Sequence, residues 1–112
     1  MRRLLIAVVL AGLISPLASH AHHSIAAMYA RESAISLEGK VARVEYINPH
    51  AVIHLETTTA TGQKETWVIE WSSRNRLDAR GYTAETLRPG DLVVISGGPA
   101  RDGSKLASTE SL

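Results

Sequence analysis

With 112 residues the chain has room for one domain. It contains no cysteine, which excludes disulfide staples, a thiolate nucleophile, a soft thiolate metal site and lipid attachment through a lipobox cysteine. Twelve Lys and Arg against 11 Asp and Glu leave a formal charge of +1 with neutral histidine, far from the basic footprint of a nucleic-acid-binding domain.

The first 21 residues, MRRLLIAVVLAGLISPLASHA, read as a secretory signal. Arg2 and Arg3 form a positive start, Leu4 to Ile14 an apolar run, and Ser15 and Pro16 end it. Ser19 and Ala21 place small residues at the −3 and −1 positions of a cut after Ala21. The apolar run is shorter than the ~20 residues of a spanning helix, and no charged stop-transfer segment follows. A periplasmic chain starting at His22, with no stable membrane anchor, is the expectation. Losing Arg2 and Arg3 turns the net charge to −1.

Residues 22–33 form an N-terminal arm. Ile25, Met28 and Tyr29 recur at helical spacing over too few residues for a firm helix, so the arm is expected to lie loosely on the domain at 34–112. A long first strand runs from Ile35 to Ile47. Ile35, Leu37, Gly39 and Val41 share one face, after which Val44 and Tyr46 become the apolar pair. That one-residue slip signals a β-bulge, which bends and twists a strand. Asn48-Pro49 turns the chain, because proline fixes φ and removes a donor while asparagine can bond its own backbone. Ala51 to Glu56 is the second strand, with Val52 and His54 on one face and Ile53 and Leu55 on the other. A polar loop containing Gly62 leads to a third strand from Glu65 to Trp71, on which Trp67, Ile69 and Trp71 face one way.

Ser73 is a helix N-cap, Leu77 the inward residue and Gly81 the stop of a short helix. Thr83 caps a further single turn ending at Leu87, and Arg88-Pro89-Gly90-Asp91 is a tight turn. The fourth strand, Leu92 to Ser96, is continuously apolar and is therefore read as buried; Gly97-Gly98-Pro99 ends or kinks it. Asp102-Gly103 marks a hairpin before a weak fifth strand from Lys105 to Leu112. Three strands, a short helix and two strands predict an all-β fold with small α content: a five-stranded, partly open barrel of the oligonucleotide/oligosaccharide-binding (OB) type, with the helix between strands three and four.

The motifs together resemble a family. They are Ala21-His22-His23-Ser24, Leu37-Glu38-Gly39-Lys40-Val41, Asn48-Pro49-His50-Ala51, the Trp67 strand, Arg80-Gly81-Tyr82, Leu87-Arg88-Pro89-Gly90-Asp91 and Ala100-Arg101-Asp102-Gly103-Ser104. The chain is similar, over nearly all of its mature length, to small exported bacterial proteins of unknown function marked by HHS and NPH motifs. The resemblance implies a signal peptide, a periplasmic location and an OB-like barrel; it implies no reaction.

Five histidines carry the chemistry on offer. Cleavage after Ala21 makes His22 the terminal residue, whose α-amine and imidazole can hold one cation. With His23 or His50 the donor set is rich in nitrogen and suits Cu(II). The plain alternative is a solvated arm, with His50 bonding a backbone carbonyl at its corner and His54 satisfied in a half-buried strand. Tyr46, His50, His54, Trp67 and Trp71 form a candidate ligand groove, set against core packing by tryptophans in a chain that has no phenylalanine. Arg74, Arg76 and Arg80 on the helix, and Arg88 after it, could meet an anionic partner, although a solvated face beside Asp78 is the blander reading. No carboxylate pair, nucleophile elbow or phosphate loop is present, so only a metal-dependent activity would make the chain an enzyme. Its partner is expected to be a small molecule, a sugar or a periplasmic protein, not nucleic acid.

Overall fold

The computed structural model describes residues 24–110. Five strands close into a barrel: β1 (Ile35–Glu45), β2 (Val52–Thr58), β3 (Lys64–Glu70), β4 (Leu92–Pro99) and β5 (Leu106–Ser108), in the order β1-β2-β3-β5-β4. The barrel is closed where the sequence suggested partly open. Closure comes from a short parallel pairing of β3 with β5 and a two-residue antiparallel pairing of β4 with β5. β1 is the long bent strand expected, pairing with β4 over Ile35 to Lys40 and with β2 over Gly39 to Glu45.

The phase slip in β1 is a bulge. Val41 pairs with Leu55 and Arg43 with His54, so Ala42 is an extra residue on the β1 side. Before it Leu37 and Val41 face the core; after it Val44 and Tyr46 do. The same slip turns Arg43 and Glu45 outward, onto the face that carries His54. One turn and one close strand crossing fasten the bend. Gly90, at φ 95°, belongs to the Arg88–Asp91 turn, which bonds Val41 from both sides: Val41 N–H donates to the Asp91 carbonyl and Gly90 N–H to the Val41 carbonyl. A Cβ on Gly39 would run into the Glu56 carbonyl oxygen, so β1 and β2 cross there at backbone contact.

The core contains Val41, Ile53, Leu55, Ile69, Trp71, Leu77, Leu87 and Ile95, with Trp67, Tyr46 and Tyr82 packed at its margin. Each fully buried aliphatic contributes about 1.5–3 kcal/mol. Leu77 enters from α2 (Arg74–Ala79) and plugs one end of the barrel. The helix is started by three different acceptors. Ile47 O accepts from Arg74 N–H, Asn48 Oδ1 from Asn75 N–H, and Ser73 Oγ from Arg76 N–H. Asn48 therefore does not turn on its own backbone as expected; it reaches across to the helix and also donates from Nδ2 to Asn75 Oδ1.

Two further expectations are corrected. β4 is not buried on both faces: Leu92 is 80% and Val94 59% exposed, while Ile95 is 1%. An apolar run does not state which face is covered, and here only one is. Nor do Gly97 and Gly98 end β4, which runs on to Pro99. They let other chain segments lie against it. A Cβ on Gly97 would stand 2.6 Å from the Ser108 carbonyl oxygen, and one on Gly98 2.9 Å from the Arg31 backbone.

The arm is docked rather than loose. A single helical turn, α1 (Ile25–Met28), is capped by Ser24, and Tyr29 follows with 2% exposure. Ala30 N–H donates to Pro99 O at 2.8 Å, Arg101 N–H to Met28 O at 2.9 Å, and the Arg101 guanidinium grips both Glu32 carboxylate oxygens at 2.7 and 3.1 Å. Burial, then the neighbouring Glu70 carboxylate, pushes the Tyr29 phenol up to about 12.

Candidate functional site

The structure divides the predicted groove. His50 and Trp71 come together in a cleft of about 310 Å3 between the arm, the Asn48-Pro49 corner, the start of α2 and the end of β5. Ile25, Arg31, Pro49, Ser72, Ser73, Arg76 and residues Ser108 to Glu110 complete its wall. Tyr46, His54 and Trp67 do not line it.

Tyr46 lies at the core margin and donates its hydroxyl to Asp78 Oδ1 at 2.7 Å, with the Arg74 guanidinium 6.0 Å from its ring centre. Partial burial first, and the Asp78 carboxylate next, push its phenol up to about 12. Trp67 stands on the inward side of β3 with Ile69 and is half-buried. His54 faces out between Glu45 and Arg43, its Nε2 lying 2.8 Å from Glu45 Oε2 and 2.9 Å from Arg43 Nη2. A hydrogen on Nε2 donates to Glu45; the other tautomer accepts from Arg43. The His54 hydrogen bond holds the Glu45 carboxyl below its ordinary value. His54 is thus the satisfied strand histidine, with its partners supplied by the bulge in β1.

Within the cleft the polar groups divide into met and unmet. Arg31 Nη2 pairs with Glu110 Oε1 at 2.8 Å, Ser73 Oγ caps the helix, and Thr109 Oγ1 donates to Ser96 O at 2.7 Å. His50 is exposed, and neither its ring nor the Arg76 guanidinium has a hydrogen bond or ion pair with another described residue. Trp71 is 3% exposed and stacks edge-on against Tyr82, ring centres 5.2 Å apart at 78°. Its indole Nε1–H is buried without an acceptor. Leaving such a donor unmet costs about 1–3 kcal/mol, and a buried polar group with no partner calls for an explanation. The sequence suggested a solvated helix face beside Asp78; Arg76 is exposed as expected, but Asp78 is taken by Tyr46 and by Arg74 at 3.7 Å.

A second, larger depression of about 540 Å3 lies on the outer sheet face, lined by Glu38, Lys40, Glu56, Lys64, Leu92 and Val94 among others. Its Lys64 and Glu56 pair with each other at 2.6 Å.

His22 and His23 lie outside the described residues. Among the described residues no group of three His, Asp or Glu side chains could hold a metal ion, and no helix is long and apolar enough to cross a membrane.

Two crystal structures of the S. cerevisiae mitochondrial single-stranded DNA binding protein Rim1 are similar in fold. One has 18% identity, a TM-score of 0.52, and covers 70% of this chain and 90% of Rim1. The other, SeMet-labelled, has 14% identity, the same TM-score, and covers 70% and 88%. The likeness places the barrel among OB folds. No protein of curated function matches the sequence. Residues 11–109 match the family of unknown function DUF6152, and the chain belongs to that family.

Proposed function

We propose that the protein is an exported, periplasmic binding module whose ligand seat is the cleft at the arm end of the barrel. The observation that carries this reading is the meeting of His50 and Arg76, neither with a hydrogen bond or ion pair to another described residue, in one recess walled by Trp71. A cleft of 310 Å3 suits a small molecule. Export rests on the first 21 residues and their signal pattern. The single-stranded DNA in the description of Rim1 finds no counterpart in the residues. Strand binding on such barrels uses a basic groove with exposed aromatic rings. Here Trp67 and Trp71 turn inward, and of the sheet-face cations Arg43 and Lys64 are paired with Glu45 and Glu56, which leaves Lys40 as a single charge rather than a basic groove.

The test is a 1H–15N correlation screen with neutral, cationic and anionic small molecules. Shifts gathered on the Trp71 indole and the Ser72, Ser73 and Thr109 amides support the cleft. Shifts gathered instead around Glu38, Glu56 and Val94 overturn it in favour of the sheet face.

Copper binding by the mature N-terminus is a second reading, favoured by one observation. Ile25 lines the same cleft as His50, and His22 precedes Ile25 by three residues, a reach of about 10 Å for extended chain. His22, His23 and His50 are then the ligands proposed. Calorimetry and EPR on protein beginning at His22 decide it. One-to-one binding with nitrogen couplings, lost when one residue is added before His22 and weakened in His50→Ala, supports the site; equal weak binding in all three proteins removes it.

A further inference from the structure

We infer that the cleft takes a small carboxylate-bearing ligand, held by the Arg76 guanidinium and His50 beside the wall that Trp71 forms. This rests on the cleft being the ligand seat and adds the class of ligand. The argument is one of donors and acceptors. Arg76 can only donate, and His50 donates from one ring nitrogen in either neutral tautomer. The carboxylate on the cleft wall, Glu110, is neutralised by Arg31 at 2.8 Å. Of the hydroxyls on the wall, Ser73 Oγ accepts from Arg76 N–H and Thr109 Oγ1 donates to Ser96 O, while those of Ser72 and Ser108 can donate or accept. What is left over is one cation, so the complementary ligand brings negative charge and acceptor oxygens.

The start of α2 contributes no donors of its own. Its first three N–H groups are filled by Ile47 O, Asn48 Oδ1 and Ser73 Oγ, so the ligand is held by side chains. Arg76 presents a planar fork that matches the two oxygens of a carboxylate. At 310 Å3 the recess lies at the small end of ligand pockets. It admits a short dicarboxylate or the end of a peptide and excludes a polymer lying along the sheet.

The experiment follows the Trp71 indole resonance, identified as the one remaining in Trp67→Phe. The probes are succinate with its neutral counterpart succinamide, and acetyl-Gly-Gly with its C-terminal amide. The inference expects saturable shifts of the Trp71 resonance with the acids and not with the amides. Arg76→Gln should weaken binding about tenfold, the loss of one charge-assisted hydrogen bond, and His50→Gln should weaken it less. Succinate binding without acetyl-Gly-Gly identifies a free acid; the converse identifies a chain end. Arg76 is an exposed residue of α2, so its variant folds. Amides that bind as well as acids, or an Arg76→Gln titration equal to the wild type, overturn the carboxylate inference while leaving the cleft as a seat. No response of the indole to any probe class overturns both. Copper that broadens His50 equally in wild type and Arg76→Gln, with acids silent, replaces the carboxylate by a metal.

Discussion

The two recesses of the barrel differ in how they treat their polar groups. The sheet-face depression is the larger, at 540 Å3 against 310 Å3, and its charges balance: Lys64 pairs with Glu56 at 2.6 Å, and Glu38 and Lys40, one of each sign, have no ion pair with another described residue. The arm-side cleft is smaller, and its Arg76 guanidinium and His50 imidazole have no hydrogen bond or ion pair with another described residue. Volume is therefore the poorer guide to a binding site. Exposed ion pairs contribute little to stability, and a recess whose charges balance offers a charged ligand less than one with a cation to spare.

The largest expected effect separates the two regions by burial. Trp71→Ala should lose about 3–5 kcal/mol, the range for removing a buried aromatic, seen as a fall in the denaturation midpoint at unchanged slope. Leu92→Ala, at an 80% exposed position on the sheet face, should stay within about 0.5 kcal/mol of wild type. Equal losses would mean that the sheet face is covered in solution, and the comparison would fail.

Next come the glycines at which each region depends on close approach. Gly39→Ala pushes a Cβ into the Glu56 carbonyl inside the β1–β2 ladder, and Gly98→Ala pushes one to 2.9 Å from the Arg31 backbone. Both should cost about 1–3 kcal/mol as overpacking, but in different places. Gly39→Ala should lower the whole unfolding transition. Gly98→Ala should chiefly release the arm, measured as faster amide exchange at Ala30 and Arg101. Asn48→Ala ranks below them, at about 1 kcal/mol for a lost cap, because Ile47 O and Ser73 Oγ still start α2.

The strands, the bulge and the α2 cap were legible because each is written locally, as a period of two, a phase slip after Val41, or a serine before a helical turn. The OB order followed from counting these elements. What was not legible depends on residues far apart in the chain. Arg101 and Glu32, 69 residues apart, dock the arm; neither residue's neighbours announce it. His54 finds Glu45 only because the bulge turns Glu45 outward across the ladder. The Gly97-Gly98 pair looked like a stop, since sequence carries the freedom of glycine but not the chain that will press against it. In the site, His50 and Trp71 were both singled out and do meet. Arg76 reads in sequence only as one of several arginines on a solvated face beside Asp78, and only the fold shows Asp78 spent on Tyr46 and Arg74. The unmet indole has no sequence signal at all.

The smallest effect expected is a pH response that should appear in the arm and not in the sheet. The Arg101 hydrogen bonds hold the Glu32 carboxyl below its ordinary value of 4.5, and the Lys64 hydrogen bond does the same for Glu56. A carboxyl whose value is depressed in the folded state stabilises that state above the unfolded value and loses the contribution as pH falls through the folded one. Both pairs should therefore weaken below pH 4.5, but with unequal consequences. Glu56 sits in a β2–β3 ladder running in register from Val52–Glu70 to Thr58–Lys64, which holds without the ion pair. Glu32 lies on a short arm that Arg101 fastens from one side. Corrected for intrinsic rates, exchange of the Ala30 and Arg101 amides should quicken as pH falls through this window, while the β2–β3 ladder amides stay protected. Glu32→Gln should flatten the response of the arm, and Glu56→Gln should leave the arm unchanged. Matched acceleration in both regions would show that acid loosens the barrel as a whole, and the arm would then not be a separately fastened wall of the cleft.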